Sequence, residues 1–188
     1  MNTRNKSAII MLSAAAYMAM FELNTLLFSD FSFATSVDWI YFPSGLRLAF
    51  VLIFGVWGAL GVVVASIAGS LIHYFSGDMV TAVGAGLIEG LAPLLARSVS
   101  VQVLNFDSEL RDLTVEMLFK VVAMFSVLSA TIHQLWFTFR GYSDNFISNT
   151  AVMTFGDFAG TVLLLYAAKF LLHQFPIFGE DRKFSELE

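Results

Sequence analysis

The sequence has no cysteine and little charge. Only 13% of its 188 residues are charged, and it contains 3 histidines and 3 prolines. Without cysteine the chain has no disulfide and no thiolate for metal binding or nucleophilic catalysis. Its 10 basic residues form no stripe that could neutralise a row of phosphates. We therefore expect no nucleic-acid partner.

Sequence signatures of common enzymes are also missing. There is no G-x-S-x-G, no H-E-x-x-H and no Walker-type loop. His73, His133 and Glu89 could converge on a metal ion, but no paired spacing such as H-x3-H supports such a site. We expect a protein that is not an enzyme and has neither a metal nor a cofactor.

Apolar residues are abundant instead. They make up 57% of the chain, with 20 phenylalanines and a mean hydropathy of +0.76. Soluble domains contain roughly 45–50% apolar and about 25% charged residues. A helix crosses the bilayer with about 20 apolar residues, which leaves room for six crossings and short loops. The composition predicts an all-α, polytopic integral membrane bundle of about six helices, forming one domain over residues 1–188.

Turn residues and prolines divide the chain into its helices. The glycines of Gly55-Val56-Trp57-Gly58 predict a tight turn, which leaves a short second helix. Ser108 is a candidate N-cap of the fifth helix, and Pro93 interrupts the fourth, leaving the Glu89 carbonyl without its usual donor. The predicted helices cover residues 7–28, 44–54, 58–75, 79–103, 109–139 and 150–175, followed by a short cytoplasmic tail, 176–188.

The second helix is too short to span a bilayer alone. We therefore expect the extended stretch 37–42 to enter the membrane before it, buried in protein or lining water. The first apolar run lacks a clean small-x-small cleavage site before Glu22, so it is predicted to be a retained helix.

The distribution of lysine and arginine predicts the orientation. With the N-terminus inside, the cytoplasmic ends hold most of the basic residues: Arg4, Lys6, Arg97, Arg111, Lys120, Lys169, Arg182 and Lys183. The outer side has Arg140, with Arg47 near the outer end of its helix. Positive charge favours the cytoplasmic side. We expect a multi-pass protein of the bacterial inner membrane with both termini in the cytoplasm.

Ionisable side chains at membrane depth are the strongest indication of function. One falls on each predicted helix: Glu22, Arg47, His73, Glu89, His133 and Asp157. Charge in hydrocarbon is costly and normally faces a partner, a cavity or a pathway. Their similar depth predicts an outward-facing polar cavity that binds a small molecule or an ion. The alternative is structural, with Arg47 neutralised by Asp157, Glu89 or Glu22 and the histidines acting as interfacial hydrogen-bonding groups.

Small residues recur at four-residue spacing on three helices. They form Gly61-x3-Ala65-x3-Gly69, Gly86-x3-Gly90 and Gly156-x3-Gly160. Such faces let neighbouring helices approach closely. Packing is the expected role, and it would place Glu89 and Asp157 inside the bundle.

Three segments together resemble the type-one membrane-associated sensor (MASE) family. They are Trp39-Ile40-Tyr41-Phe42-Pro43-Ser44-Gly45-Leu46, Gly86-Leu87-Ile88-Glu89-Gly90-Leu91 and Gly156-Asp157-Phe158-Ala159-Gly160. They are similar to the family's W-x-P-x-G entry, its helix with an embedded glutamate and its late G-D-x-x-G helix. Their order and rough spacing match over about residues 38–172. The matching positions are Pro43, Gly45, Glu89, Asp157 and Gly160.

The resemblance implies an integral membrane sensory domain, which in that family is usually fused to a histidine kinase, a diguanylate cyclase or a phosphodiesterase. This sequence is shorter than the usual domain and has Arg47 where apolar residues are common. About a dozen residues follow its last predicted helix, so we expect it to act through a partner protein. Two other functions stay open: a substrate-binding subunit of a transporter, and a structural or assembly subunit of a larger membrane complex.

Overall fold

The computed structural model describes residues 2–104 and 114–174 of the chain. Within them a 3-10 turn, Ser29–Phe31, and an antiparallel pair of strands, β1 (Ser32–Ala34) and β2 (Val37–Asp38), connect the first two helices. The helices are α1 (Thr3–Phe28), α2 (Phe42–Phe54), α3 (Val56–His73), α4 (Met79–Leu104), α5 (Val115–Phe139) and α6 (Phe146–Gln174).

The predicted fold class, a helical membrane bundle, is confirmed. Five of the described helices, α1 and α3 to α6, are long and apolar enough to cross a bilayer. The remaining helix, α2, has 13 residues. At a rise of about 1.5 Å per residue it extends roughly 20 Å, less than the bilayer's hydrocarbon core of about 30 Å.

Local chemistry explains where the helices begin and end. Pro43 lies in the first turn of α2, where its missing N–H removes no helical hydrogen bond. Gly55 alone separates α2 from α3, with a φ of 58° that suits glycine. Thr114 caps α5 by accepting a hydrogen bond from the Met117 N–H, at 3.2 Å. The predicted cap, Ser108, lies outside the described residues.

The short helix α2 lies against several others. Along the chain α1 packs on α3, α3 on α4, α4 on α5 and α5 on α6, while α2 contacts α1, α3, α4 and α6. Side chains near the middle of α2 are therefore surrounded by protein. Leu48, for example, packs with Val121 and Phe125 of α5.

The three connections 29–41, 74–78 and 140–145 lie at the same end of the bundle, which we call the hairpin end. Phe75 and Tyr142 meet there edge to face, with ring centroids 4.9 Å apart. The Arg140 guanidinium pairs with Asp78 at 3.0 Å. Asp38 and Tyr74 line a common groove. Both ends of the described chain point toward the opposite end.

The stretch 37–41, which runs from the strand β2 to the residue before the helix α2, enters the bundle. We expected such an entry segment because the second helix is short. Val37 is buried and packs on Ala130 of α5 and Met153 of α6. The Tyr41 N–H donates to the Gly156 carbonyl oxygen at 3.2 Å. The segment therefore reaches the interior with part of its backbone hydrogen-bonded by α6.

The glycines of α6 accommodate this extended backbone. A Cβ at Gly156 would collide with the Asp38 carbonyl oxygen, and one at Gly160 with the Tyr41 carbonyl oxygen. The close approach expected at this pair is present, but it is made by the segment that runs from Asp38 to the first residue of α2, Phe42. The other two small faces do pack on helices: Gly61 meets Ser13 of α1, and Gly90 meets Ala59 of α3.

Candidate functional site

Arg47 lies at the centre of the bundle with no solvent exposure. Its Nη2 donates to Asp157 Oδ2 at 2.7 Å and to Ser129 Oγ at 2.9 Å. Its Nη1 pairs with Glu89 Oε2. The guanidinium also lies over the Phe125 ring, 4.9 Å from its centroid. The expected pairing of Arg47 with a carboxylate is confirmed, and it involves two acids.

His133 lies beside Glu89 and is almost fully buried. Its Nδ1 is 2.9 Å from the backbone carbonyl oxygen of Ser129, and its Nε2 is 3.6 Å from Glu89 Oε1. We call Arg47, Glu89, Ser129, His133 and Asp157 the Arg47 cluster. Its members come from α2, α4, α5 and α6.

The carboxylates of the Arg47 cluster outnumber its fixed cations. Glu89 and Asp157 face one guanidinium, and their side chains are 9% and 0% exposed. With a neutral His133 the cluster carries one excess negative charge. An uncompensated charge in low dielectric is expensive. The cluster is therefore balanced only when it holds one additional positive charge or proton.

Hydroxyl groups fix the backbone beside Asp157. Thr161 Oγ1 donates to the Asp157 carbonyl oxygen at 2.6 Å, and Ser44 Oγ lies 2.8 Å from the same oxygen. Tyr41 bonds through its hydroxyl to Tyr17 of α1 at 3.0 Å. Sequence reasoning missed these residues, because serine, threonine and tyrosine are common in membrane helices and carry no charge to signal them.

A cavity of about 10 Å³ adjoins the Arg47 cluster. That volume holds roughly one water molecule, whereas small-molecule pockets measure about 300–1,000 Å³. The predicted polar cavity therefore has the size of a water or an ion. Its lining residues are Ser36, Asp38, Tyr41, Tyr74, Glu89, Met153 and Asp157.

A larger groove of about 160 Å³ lies at the hairpin end. Asp38 and Tyr74 line both the groove and the small cavity. Burial is the main cause that raises the pKa of Asp38 to about 6; a hydrogen bond with Ser32 opposes it, and the charge of Asp157 adds to it. Asp38 is thus a titratable group between the surface and the interior.

Glu22 and His73 do not join the Arg47 cluster. Glu22 Oε1 and His73 Nε2 pair with each other at 2.9 Å, with side chains 45% and 25% exposed. Of the six ionisable residues predicted at membrane depth, the structure brings together four and leaves these two as a separate pair. Within the described residues no group of three or more histidine or acidic side chains is arranged to hold a metal ion.

The other singled-out positions have packing roles. Gly45 lies against the Thr161 backbone of α6, where a Cβ would come within 2.9 Å. Pro43 lies in the first turn of α2, and Pro93 lies inside α4, one turn after Glu89. These residues set the approach of the helices that carry Arg47 and Glu89.

A second ionic group at the hairpin end was not predicted. Asp78 accepts hydrogen bonds from Thr81 Oγ1 at 2.6 Å, from Arg140 Nη2 at 3.0 Å and from the Tyr142 hydroxyl at 3.1 Å. These bonds, those from Thr81 first, lower the pKa of Asp78. We call Asp78, Thr81, Arg140 and Tyr142 the Asp78 cluster.

No protein-family model, curated protein or solved structure matches this chain. The fold and the site define a helical membrane protein with a buried ion cluster. The likeness to the MASE family rests on the three sequence segments that carry it.

Proposed function

We propose that this chain is a MASE-like sensory or ligand-binding module of the bacterial inner membrane that acts through a partner protein and has no enzymatic activity of its own. One observation carries the proposal: the Arg47 cluster joins one ionisable side chain from each of four helices, fully or almost fully out of solvent. A change of charge on one of these side chains would therefore alter the contacts between all four helices.

The coupling follows from the contacts of Arg47. Its guanidinium bonds α2 to Asp157 of α6, to Ser129 of α5 and to Glu89 of α4. A ligand that changes the charge of one carboxylate changes the energy of all these contacts together. Packed interfaces respond to such changes by shifting between discrete arrangements. A partner protein at the opposite end would detect the shift of helix ends.

The size of the cavity argues against the transporter alternative. About 10 Å³ beside the Arg47 cluster has no room for an organic solute. The structural-subunit alternative predicts instead that the cluster is a static support. The sensory proposal and the structural-subunit alternative differ in one expectation. Only the sensory proposal expects a change at Glu89 to move the helix ends opposite the hairpin end.

Spin-label distances test this difference. The chain has no cysteine, so labels can be introduced without a background mutation. Val103 of α4 and Phe170 of α6 are 62% and 61% exposed and lie toward the opposite end from the hairpin. We expect Glu89→Gln to shift the distance distribution between labels at these positions in lipid nanodiscs.

The matched control is Glu22→Gln, which removes a carboxylate outside the Arg47 cluster and should leave the distance distribution unchanged. Identical distributions in the wild type, Glu89→Gln and Asp157→Asn would reject the sensory proposal in favour of a structural subunit. A partner that copurifies from the native host can then be tested for binding to each variant.

We also propose that both termini face the cytoplasm, with the hairpin end outside. The basic residues Arg4, Lys6, Arg97, Lys120 and Lys169 support this orientation, since positive charge concentrates on the cytoplasmic side. Reporter fusions after Phe28, Phe75 and Tyr142 should report the outer side, and those at Val103 and the C-terminus the inner side. A cytoplasmic signal at Tyr142 would contradict six crossings.

A further inference from the structure

We propose that the ligand of the Arg47 cluster is a single proton, held by the Glu89–His133 pair and exchanged with the aqueous phase at the hairpin end through Asp38. The inference deepens the proposed function, since it names the ligand of the same site. It rests on three independent observations: the charge balance of the cluster, the acceptors that face each other within it, and the cavities that lead to it.

The Arg47 cluster needs one additional positive charge to be electrically neutral. Arg47 supplies one charge against the carboxylates of Glu89 and Asp157. Within the described residues no group of acidic and histidine side chains fits a metal ion. A proton needs no coordination shell, and it neutralises the excess charge where that charge lies.

The geometry of His133 shows where the proton binds. Nδ1 lies 2.9 Å from the Ser129 carbonyl oxygen, which can only accept, so Nδ1 carries a hydrogen. In a neutral imidazole Nε2 is then an acceptor, and it faces another acceptor, Glu89 Oε1, at 3.6 Å. Two facing acceptors are unfavourable unless a proton sits on one of them. The pair titrates as a unit, so the proton belongs to both residues.

An unpartnered oxygen links the pair to the cavity. Asp157 Oδ1 is fully buried and has no hydrogen-bond partner among the described residues. Asp157, Glu89 and Asp38 all line the small cavity. One water molecule in this space would connect the three carboxyl groups. The cavity therefore provides a path of about one water between the cluster and Asp38.

Asp38 connects this cavity to the surface. It also lines the groove of about 160 Å³ at the hairpin end, with Asn24 and Tyr74. Because burial raises its pKa to about 6, Asp38 takes up and releases protons close to neutral pH. A group that titrates near the working pH transfers protons efficiently.

The other ionisable groups around the pair come from each packed element. Arg47 of α2 pairs with Glu89, and Asp157 of α6 pairs with the same guanidinium. Tyr17 of α1 and Tyr41 before α2 are hydrogen-bonded through their hydroxyls, and Tyr74 after α3 lines the small cavity with Asp38. Asp38 lies between these groups and the surface, because it also lines the groove at the hairpin end.

Infrared difference spectroscopy of the full chain in lipid nanodiscs tests the proposal, with pH alone as the probe. As the pH is lowered from alkaline to acidic, we expect a band from a protonated carboxyl or imidazolium group to grow. Its intensity should follow the titration curve of a single proton. Glu89→Gln should remove this band, whereas Glu22→Gln, which removes a carboxylate outside the Arg47 cluster, should retain it. A spectrum whose pH-dependent bands are the same in wild type and Glu89→Gln would overturn the proposal.

Asp38→Asn tests the route separately, since Asp38 forms no ion pair with Arg47. The equilibrium band should persist, but after a pH jump its rise should slow by roughly a hundredfold, the lower end of what a positioned proton-transfer group contributes. An unchanged rate would overturn the role of Asp38.

These spectra report proton binding directly and require no partner. A titrating pair with unchanged spin-label distances would support the proton site and reject the sensory function. Shifted distances without a titrating pair would support the sensory function and reject the proton as its ligand.

Discussion

The Arg47 cluster and the Asp78 cluster are built from the same ions in opposite surroundings. Arg47 is completely buried between two carboxylates. Arg140 faces one carboxylate, Asp78, and the two side chains are 30% and 24% exposed. Water can solvate the Asp78 cluster, and Thr81 and Tyr142 share its charge through hydrogen bonds. The carboxylates beside Arg47 have almost no contact with solvent, with side chains 9% and 0% exposed.

The difference in exposure predicts that a change of charge costs more at the Arg47 cluster than at the Asp78 cluster. Solvent-exposed pairs contribute little to stability, with a typical range of about 0–1 kcal/mol. Breaking a buried pair leaves a charge without solvent or partner and costs roughly 3–5 kcal/mol. A small change of charge therefore has a large effect only at the Arg47 cluster.

The largest effect is expected for Arg47→Leu. The change leaves Glu89 and Asp157 buried without a cation, at a cost of roughly 3–5 kcal/mol of unfolding free energy. Thermal unfolding in detergent measures the loss. Arg140→Leu is the matched control, because the Asp78 carboxylate it leaves unpaired is partly exposed. If both variants lose similar stability, burial does not distinguish the two clusters.

The next prediction concerns the two carboxylates of the Arg47 cluster. Glu89→Gln and Asp157→Asn each leave one acid for Arg47, so each single change should lower the melting temperature only slightly. The double variant leaves Arg47 without a carboxylate and should lose more stability than the two single changes added together, since neighbouring groups are not additive. The single variants should still shift the spin-label distance distribution relative to wild type.

A large stability loss in both single variants would contradict this charge count. It would mean that each carboxylate is a necessary structural partner of Arg47. The site interpretation would then fail, even if the variants also lost function.

Asp38→Asn is expected to change how stability depends on pH. The pKa of Asp38 is raised in the folded chain from 3.8 to about 6, so the folded state binds a proton more tightly than the unfolded state. Stability should therefore fall as pH rises between these two values. Unfolding measured across this range should show the fall in wild type and a smaller one in Asp38→Asn. Equal slopes would show that Asp38 does not titrate in the folded chain.

The sequence predicted the bundle because hydrocarbon imposes simple demands on composition. Long apolar runs, and the cost of unsatisfied backbone groups in lipid, together specify helices. Gly55 and Pro43 marked the ends of α2, whose short length predicted a buried extended segment before it. The partner of Gly156 and Gly160 could not be predicted, because their spacing suits close approach by any backbone and does not specify a helix.

The site was predictable only in part, for a physical reason. Charge in an apolar chain is conspicuous, so Arg47, Glu89, His133 and Asp157 could be selected from the sequence. Glu22 and His73 are ionisable as well, and the sequence does not show that they pair with each other outside the cluster. Ser129, Ser44 and Tyr41 carry no charge, and the role of Asp38 depends on how the hairpin folds over the cavity.

The smallest effect is expected for Asp78→Asn in the exposed cluster. Hydrogen bonds from Thr81 and Arg140 lower the folded-state pKa of Asp78, so its contribution to stability is present above the ordinary value of 3.8 and is lost as pH falls below it. The melting temperatures of wild type and Asp78→Asn should differ slightly at neutral pH and converge in acid. Because exposed pairs are screened by salt, the neutral-pH difference should also shrink at high ionic strength, whereas that of Arg47→Leu should persist. If the Asp78→Asn difference resists salt, solvent does not reach this cluster, and the contrast between the two regions fails.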